Sequence, residues 1–152
     1  MAVELREAVG ADAGRIAEIL LVSRMVFLPY APSPHAQHEV HAWVRGTLLV
    51  SQAVTVALVA GRTVGVLALA RSEGASWLTQ LYLDPAHVGQ GIGSRLLARA
   101  LATAPRPIRL YTFQQNDRAR RFYERHGFAP IAFSDGSRNE ERCPDVLYEL
   151  AG

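Results

Sequence analysis

The chain has 152 residues, 49% of them apolar and 20% charged, with 12 Gly and 8 Pro. This is enough for one packed domain, residues 1–152, and it excludes a disordered or collagen-like chain. Sixteen basic residues, all of them Arg, against 14 acidic ones leave a net +2, which predicts no nucleic acid as partner and suits a local anionic ligand better.

Val3–Glu7 alternates as a short strand, and Asp12 is placed to cap a helix over Ala13–Phe27 with Ile16, Ile19, Leu20 and Val22 on one side. Pro29, Pro32 and Pro34 make a loop of 28–34. Ser33 is then expected to cap a second helix, with Pro34 at its first position, running through Val40, Trp43 and Val44. His35, His38 and His41 would sit three apart on it. Residues 48–70 carry only Arg62 as a charge and are long enough for a membrane span. The turn signal at 60–63 and the β-branched arms favour a hairpin, Ala53–Val59 with Thr63–Arg71, so no membrane is expected. A third strand, Ser76–Asp84, ends at Asp84-Pro85, and a helix then runs to Thr103. Ile108–Phe113 is a strand, and Asn116 or Asp117 caps a helix to His126 that Gly127 closes. Strands over Phe128–Phe133 and Val146–Leu150 flank a polar loop, 134–144. The order is a mixed α/β sheet. Met1–Gly10 has no apolar run of a secretory signal, and the single Cys143 fits a reducing, cytoplasmic setting. Lys-free, Ala- and Arg-rich usage points to a GC-rich bacterial genome.

The strongest chemical signal is the strand, turn and helix around Val88-Gly89-Gln90-Gly91-Ile92-Gly93-Ser94. Its glycines let a ligand approach the backbone, and the helix that follows starts with free N–H groups and the positive end of a dipole. Together these make a seat for phosphate. A Walker loop starting at Gly89 would need Gly at 94 and Lys at 95, where Ser94 and Arg95 stand. A dinucleotide fingerprint fails as well, at Ser94 or at Leu96.

The segment resembles the acyl-CoA pyrophosphate loop of the GNAT superfamily of N-acyltransferases, and Asn116, Ala119, Phe122-Tyr123 and Gly127-Phe128 resemble that family's second half. The resemblance implies a mostly antiparallel sheet of about seven strands with four helices, splayed between the fourth and fifth strands. It implies acetyl-CoA as co-substrate and transfer to a primary amine by direct attack in a ternary complex. Leu81, Tyr82 and Leu83 on the strand, residues 88–94 (Val88, Gly89, Gln90, Gly91, Ile92, Gly93 and Ser94), Asn116, Arg120 and Tyr123 are the implied cofactor contacts. Val88 departs from the family's usual Gln or Arg and leaves the backbone donors to hold the diphosphate. Arg95, Arg99, Arg120 and Arg121 are candidates for the 3′-phosphate end. Tyr123 is the expected acid for the departing thiolate, and the Leu81 amide the expected polariser of the thioester carbonyl.

The base is open among Glu140, Glu141 and Glu73, because 76–83 contains no carboxylate. His35, His38, Asn139 and Glu140 are expected to line the acceptor pocket, where acidic residues suit a cationic amine. The histidine row, with Cys143 or Glu39, has ligand types for a metal but lacks a second Cys/His cluster, so no metal is expected. The expected partner is an amine acceptor, with a homodimer suggested by analogy. The competing reading is an inactive acyl-CoA-binding sensor or interaction module.

Overall fold

The computed structural model describes residues 2–152. Its order is β1 (Val3–Glu7), α1 (Ala13–Phe27), α2 (Gln37–Trp43), β2 (Ala53–Val59), β3 (Arg62–Ser72), β4 (Ala75–Leu83), α3 (Ile92–Thr103), β5 (Ile108–Phe113), α4 (Asp117–Arg125), β6 (Ala129–Ser134) and β7 (Asp145–Leu150). A π-helical turn, Val44–Leu48, and a last helical turn, Leu49–Ser51, carry α2 into β2. The seven strands form one sheet in the order β1-β2-β3-β4-β5-β7-β6. Every neighbouring pair is antiparallel except β4 with β5, which is parallel. The mixed seven-stranded sheet with four helices is the GNAT-like fold expected above.

Two apolar layers sandwich this sheet. Ile16, Ala17, Ile19 and Leu20 repeat at helical spacing on α1 and pack, with Val44 and Leu48, on Val54, Val56, Val66 and Ala68. On the other face Leu96, Leu97 and Ala100 of α3 join Tyr123, Phe128 and Tyr148 over Val64, Leu67 and Leu110. Each fully buried Leu or Ile contributes about 1.5–3 kcal/mol, which explains why β2 and β3, covered on both faces, read as continuous apolar runs. Among the described residues no helix is long and apolar enough to cross a membrane. β6 lies at the sheet edge, exposed along its length, with Pro130 and a register shift near Ile131 limiting further pairing.

Three local expectations are corrected. Asp12 precedes α1 but gives it no side-chain cap, because its carboxylate takes Arg6 at 2.8 and 3.0 Å and the Val9 amide at 2.8 Å. The second helix starts at Gln37, not Pro34. Glu39 accepts the Ala36 amide at 2.7 Å and so anchors the helix start there, while Ser33 closes only a local turn with the His35 amide at 3.3 Å. His35 therefore lies before the helix and not in a row with His38 and His41.

Candidate active site

The sheet opens where the chemistry is expected. β4 and β5 pair only at Ser76↔Ile108 and Trp77↔Arg109, so β4 beyond Trp77 has a free edge on that side. A bulge then re-aims this edge. Ala68 pairs with Gln80 and Leu69 with Leu78, leaving Thr79 as the extra residue. The Ser76 amide donates toward β5, to Pro107 at 2.9 Å, whereas the Asp84 amide donates to Val64 on β3 at 2.8 Å. Residues eight apart on a regular strand would point the same way. The single inserted residue reverses the parity, and the amides of Leu81 and Leu83 face the splay.

The root of the glycine turn is fixed by charge. Asp84 accepts the Ala86 amide at 3.0 Å and Arg15 of α1 at 2.5 Å, and Arg15 also donates to the Thr63 carbonyl at 2.9 Å. The Ala86 amide, with Arg15 beside it, holds the Asp84 carboxyl below its ordinary pKa. Gly89 and Gly91 then take left-handed φ of +76° and +81°, with open space where a Cβ would stand. Gly91 is the N-cap of α3, so the free amides of the first turn emerge beside that space.

A cavity of about 470 Å³ runs from this turn into the splay. Of the sequence-derived contacts, Leu81, Tyr82, Leu83, Val88, Gly89, Gly91, Gly93, Ser94, Asn116 and Tyr123 line it. Gln90 is exposed outside its wall, and the Ile92 side chain is fully buried in the core. Arg120 is turned to the opposite side of α4, where it donates to the Tyr148 hydroxyl at 3.0 Å and packs over Phe133. Arg118, Arg121 and Arg125 line the cavity instead. Arg95 lies outside it, and Arg99 donates to the Leu5 carbonyl at 3.1 Å.

A larger cleft of about 1080 Å³ opens on the other side, between α1, the segment leading into α2, and the loop before β7. Tyr82, Leu81, Asn116 and Tyr123 line both spaces and so mark their junction. Tyr123 is 8% exposed, edge-on to Phe122 and Phe128. Burial, with Tyr82 nearby, pushes its phenol well above the ordinary tyrosine pKa. Asn116 accepts the Ala119 amide at 3.1 Å and caps α4.

The carboxylates differ in placement. Glu141 reaches across the cleft to Arg24 of α1 at 2.5 Å, with 16% of its side chain exposed. Glu140 sits at the rim, 66% exposed, 3.1 Å from His35. Glu73 is in the β3–β4 turn and lines neither space. Asn139 lines the cleft but spends its polar atoms on the loop, bonding Cys143 at 2.7 and 3.1 Å and Asp145 at 3.1 Å. His38 is exposed and outside the lining. Sequence reasoning missed Arg24, whose partner lies 117 positions away, and the bulge at Thr79, which leaves no mark in an alternating apolar run. It also missed Arg118 and Arg125, which helical spacing, three before and four after Arg121, could have found.

A family model described as an acetyltransferase (GNAT) domain matches residues 50–130. YwnH of Bacillus subtilis (strain 168), which bears the name putative phosphinothricin acetyltransferase, is 38% identical over 68 residues, 38% of this chain. The match spans 42% of that relative's length. The PaiA N-acetyltransferase of Thermoplasma acidophilum, solved in complex with coenzyme A, superposes with a TM-score of 0.77 at 19% identity, covering 100% of both chains. YncA of Salmonella typhimurium, solved with acetyl-CoA, gives 0.78 at 22% identity over 99% of this chain and 94% of its own.

Proposed function

Because the chain belongs to the GNAT acetyltransferase family, we propose that it moves an acetyl group from acetyl-CoA to a primary amine of a small molecule or peptide, by direct attack in a ternary complex. The observation that carries this reading is the junction. A glycine turn with free amides, a strand edge with free amides and a buried phenol stand together on two adjoining spaces that share Leu81, Tyr82, Asn116 and Tyr123 as lining.

The donor lies in the smaller cavity. Amides at the start of α3 take its diphosphate, since a helix N-terminus offers both donors and positive potential. The pantetheine arm, extended and carrying two amides, pairs with the free edge of β4 as an added strand would. The Leu81 and Leu83 amides then face the arm and the thioester, and the Leu81 amide polarises the carbonyl that the amine attacks. As the tetrahedral intermediate collapses, the carbon–sulfur bond breaks and the thiolate takes a proton from Tyr123. Burial keeps that phenol protonated throughout the physiological range, which suits an acid and not a base.

The acceptor enters through the larger cleft. Its lining carries Glu39, Glu140, Glu141 and Asp145 against Arg24 and Arg138, an acidic balance that favours a cationic amine. Of the three carboxylates considered as base, Glu141 is the one held in the cleft wall with little exposure, and it takes the proton the amine gives up. Glu140 and His35 stand at the entrance and contact the acceptor, and residues 1–152 act as one unit.

The test is thiol release from acetyl-CoA against a panel of primary amines. Turnover with at least one amine is expected, with Tyr123→Phe lowering kcat by about a hundredfold at little change in coenzyme affinity. Glu141→Gln is expected to lower kcat as well, and Glu73→Gln to leave it unchanged. Tight coenzyme binding with no turnover on any amine would instead support the sensor reading.

A further inference from the structure

On the α1 side, helices cover only part of the sheet. There α1 and the turn at Val44–Leu48 pack over Val54, Val56, Val66 and Ala68, and the layer ends at Tyr82 of β4. On β5 and β7, Ile108, Leu110, Val146 and Tyr148 are buried on the opposite face, so alternation turns Tyr111 and Leu147 to the α1 side. These two are cross-strand partners, and Ala132 of β6 pairs with Leu147 in the same row. All three line the larger cleft and form its floor. Phe113, two residues beyond Tyr111, is covered by Tyr30 at 6.3 Å between ring centroids and by the Arg24 guanidinium at 5.9 Å. Tyr111 has no such cover and is 60% exposed. Its ring is nonetheless held, stacked on Trp77 of β4 at 5.7 Å and 15°. Among the described residues no other ring or guanidinium lies against it. A flat ring fixed by one neighbour and bare in a cleft offers a second ring a place to stack. Glu140 and Glu141 bring negative charge to the same cleft, and Leu81 and Tyr123 stand where it meets the donor cavity. At about 1080 Å³ the cleft matches the upper end of sites for drug-sized ligands, roughly 300–1000 Å³. A short alkylamine would leave its aromatic floor wet.

We propose that this floor selects the acceptor, a small primary amine joined by a short alkyl linker to a flat aromatic ring, with the ring stacked on Tyr111 and the ammonium among the carboxylates. The site rests on the acceptor reading above and narrows its substrate class. Tyr111 sets specificity and touches no reacting atom. Its contact with the ring is the same in the bound substrate and in the transition state, so it lowers KM and leaves kcat to the groups at the junction.

Steady-state transfer from saturating acetyl-CoA tests the site with 2-phenylethylamine, 2-cyclohexylethylamine and butylamine. The first two match in length and apolar bulk and differ in the flat ring. The kcat/KM for 2-phenylethylamine is expected to exceed that for 2-cyclohexylethylamine by about fivefold, the scale of ring stacking beyond buried area, with the difference in KM. Butylamine is expected to be the poorest of the three. In Tyr111→Leu the advantage of the flat ring is lost, and in Tyr111→Phe it is kept. The coenzyme A affinity of Tyr111→Leu, measured by calorimetry, stays within about twofold of the native value, which shows that the variant is folded. Equal use of the two ring-bearing amines by the native protein, or a preference that Tyr111→Leu retains, would overturn the ring site and leave the acceptor reading intact. Turnover confined to amines without an aromatic ring would do the same. Turnover on no amine of a wider panel would overturn both. A native dimer that Tyr111→Leu dissociates in sedimentation would also overturn the site, because a second copy would then cover the floor.

Discussion

Single residues set the chemistry through their surroundings. Tyr123 was legible through the family resemblance of the segment that follows the Asn116 cap, with its phenol read as a donor. The upward push on its pKa was not legible, since that depends on burial beside Tyr82 and among side chains that include Tyr148, which is remote in sequence. Asp84 is the plainer electrostatic case. Its carboxyl is held below the ordinary value by the Ala86 amide and by Arg15. The stabilisation this gives is present above the unfolded pKa, about 3.9, and is lost as pH falls through the lower folded value. Asp84→Asn is therefore expected to cost about 1–2 kcal/mol at pH 7. In thermal melts the gap to the native chain should close as pH drops below about 4. A gap of the same size at pH 3 would contradict the assignment. Glu141 shows the limit of sequence reading at this scale, because nothing local in 139–145 announces an ion pair to Arg24.

Elements were legible where periodicity or punctuation was strong. The β2–β3 hairpin, α3 and α4 stand within a residue or two of their expected bounds, fixed by turn residues and by helical repeats of apolar side chains. The start of α2 was misplaced because two caps competed, and Glu39 reaching back to Ala36 prevails over Ser33 with Pro34. The π-helical turn at Val44–Leu48 gave no signal, since Val44 and Leu48 satisfy a helical pattern equally well. The glycine turn carries the prediction at this scale. Gly91→Ala places a Cβ in the open cavity at a φ of +81°, straining the backbone by about 1–2 kcal/mol. Gly61→Ala, at φ +77° in the β2–β3 turn away from either space, is the matched control. Both variants are expected to melt lower by similar amounts, but only Gly91→Ala weakens coenzyme A, by roughly tenfold, the size of about 1.4 kcal/mol of displaced contact in the bound state. Equal affinities in the two variants would remove the turn from the binding site.

At the scale of the whole molecule, the sheet holds the site open because β4 and β5 part after two pairs and the bulge at Thr79 turns the freed amides inward. Strand content followed from composition and alternation. Strand order did not, and the splay was expected only through resemblance to a family. The contacts across the larger cleft join residues more than a hundred positions apart, and these lie beyond any local pattern. The central claim is that one surface, running from the turn at 89–94 to the inner edge of β4, grips the coenzyme. Backbone amide resonances of the 15N-labelled protein, followed as coenzyme A is added, measure this directly. Saturable shifts confined to residues 89–94, Leu81, Leu83 and the start of α4, with β1 and β2 unmoved, are the expected result. Saturable binding that leaves the amides of 89–94 and of Leu81 and Leu83 unchanged would contradict it.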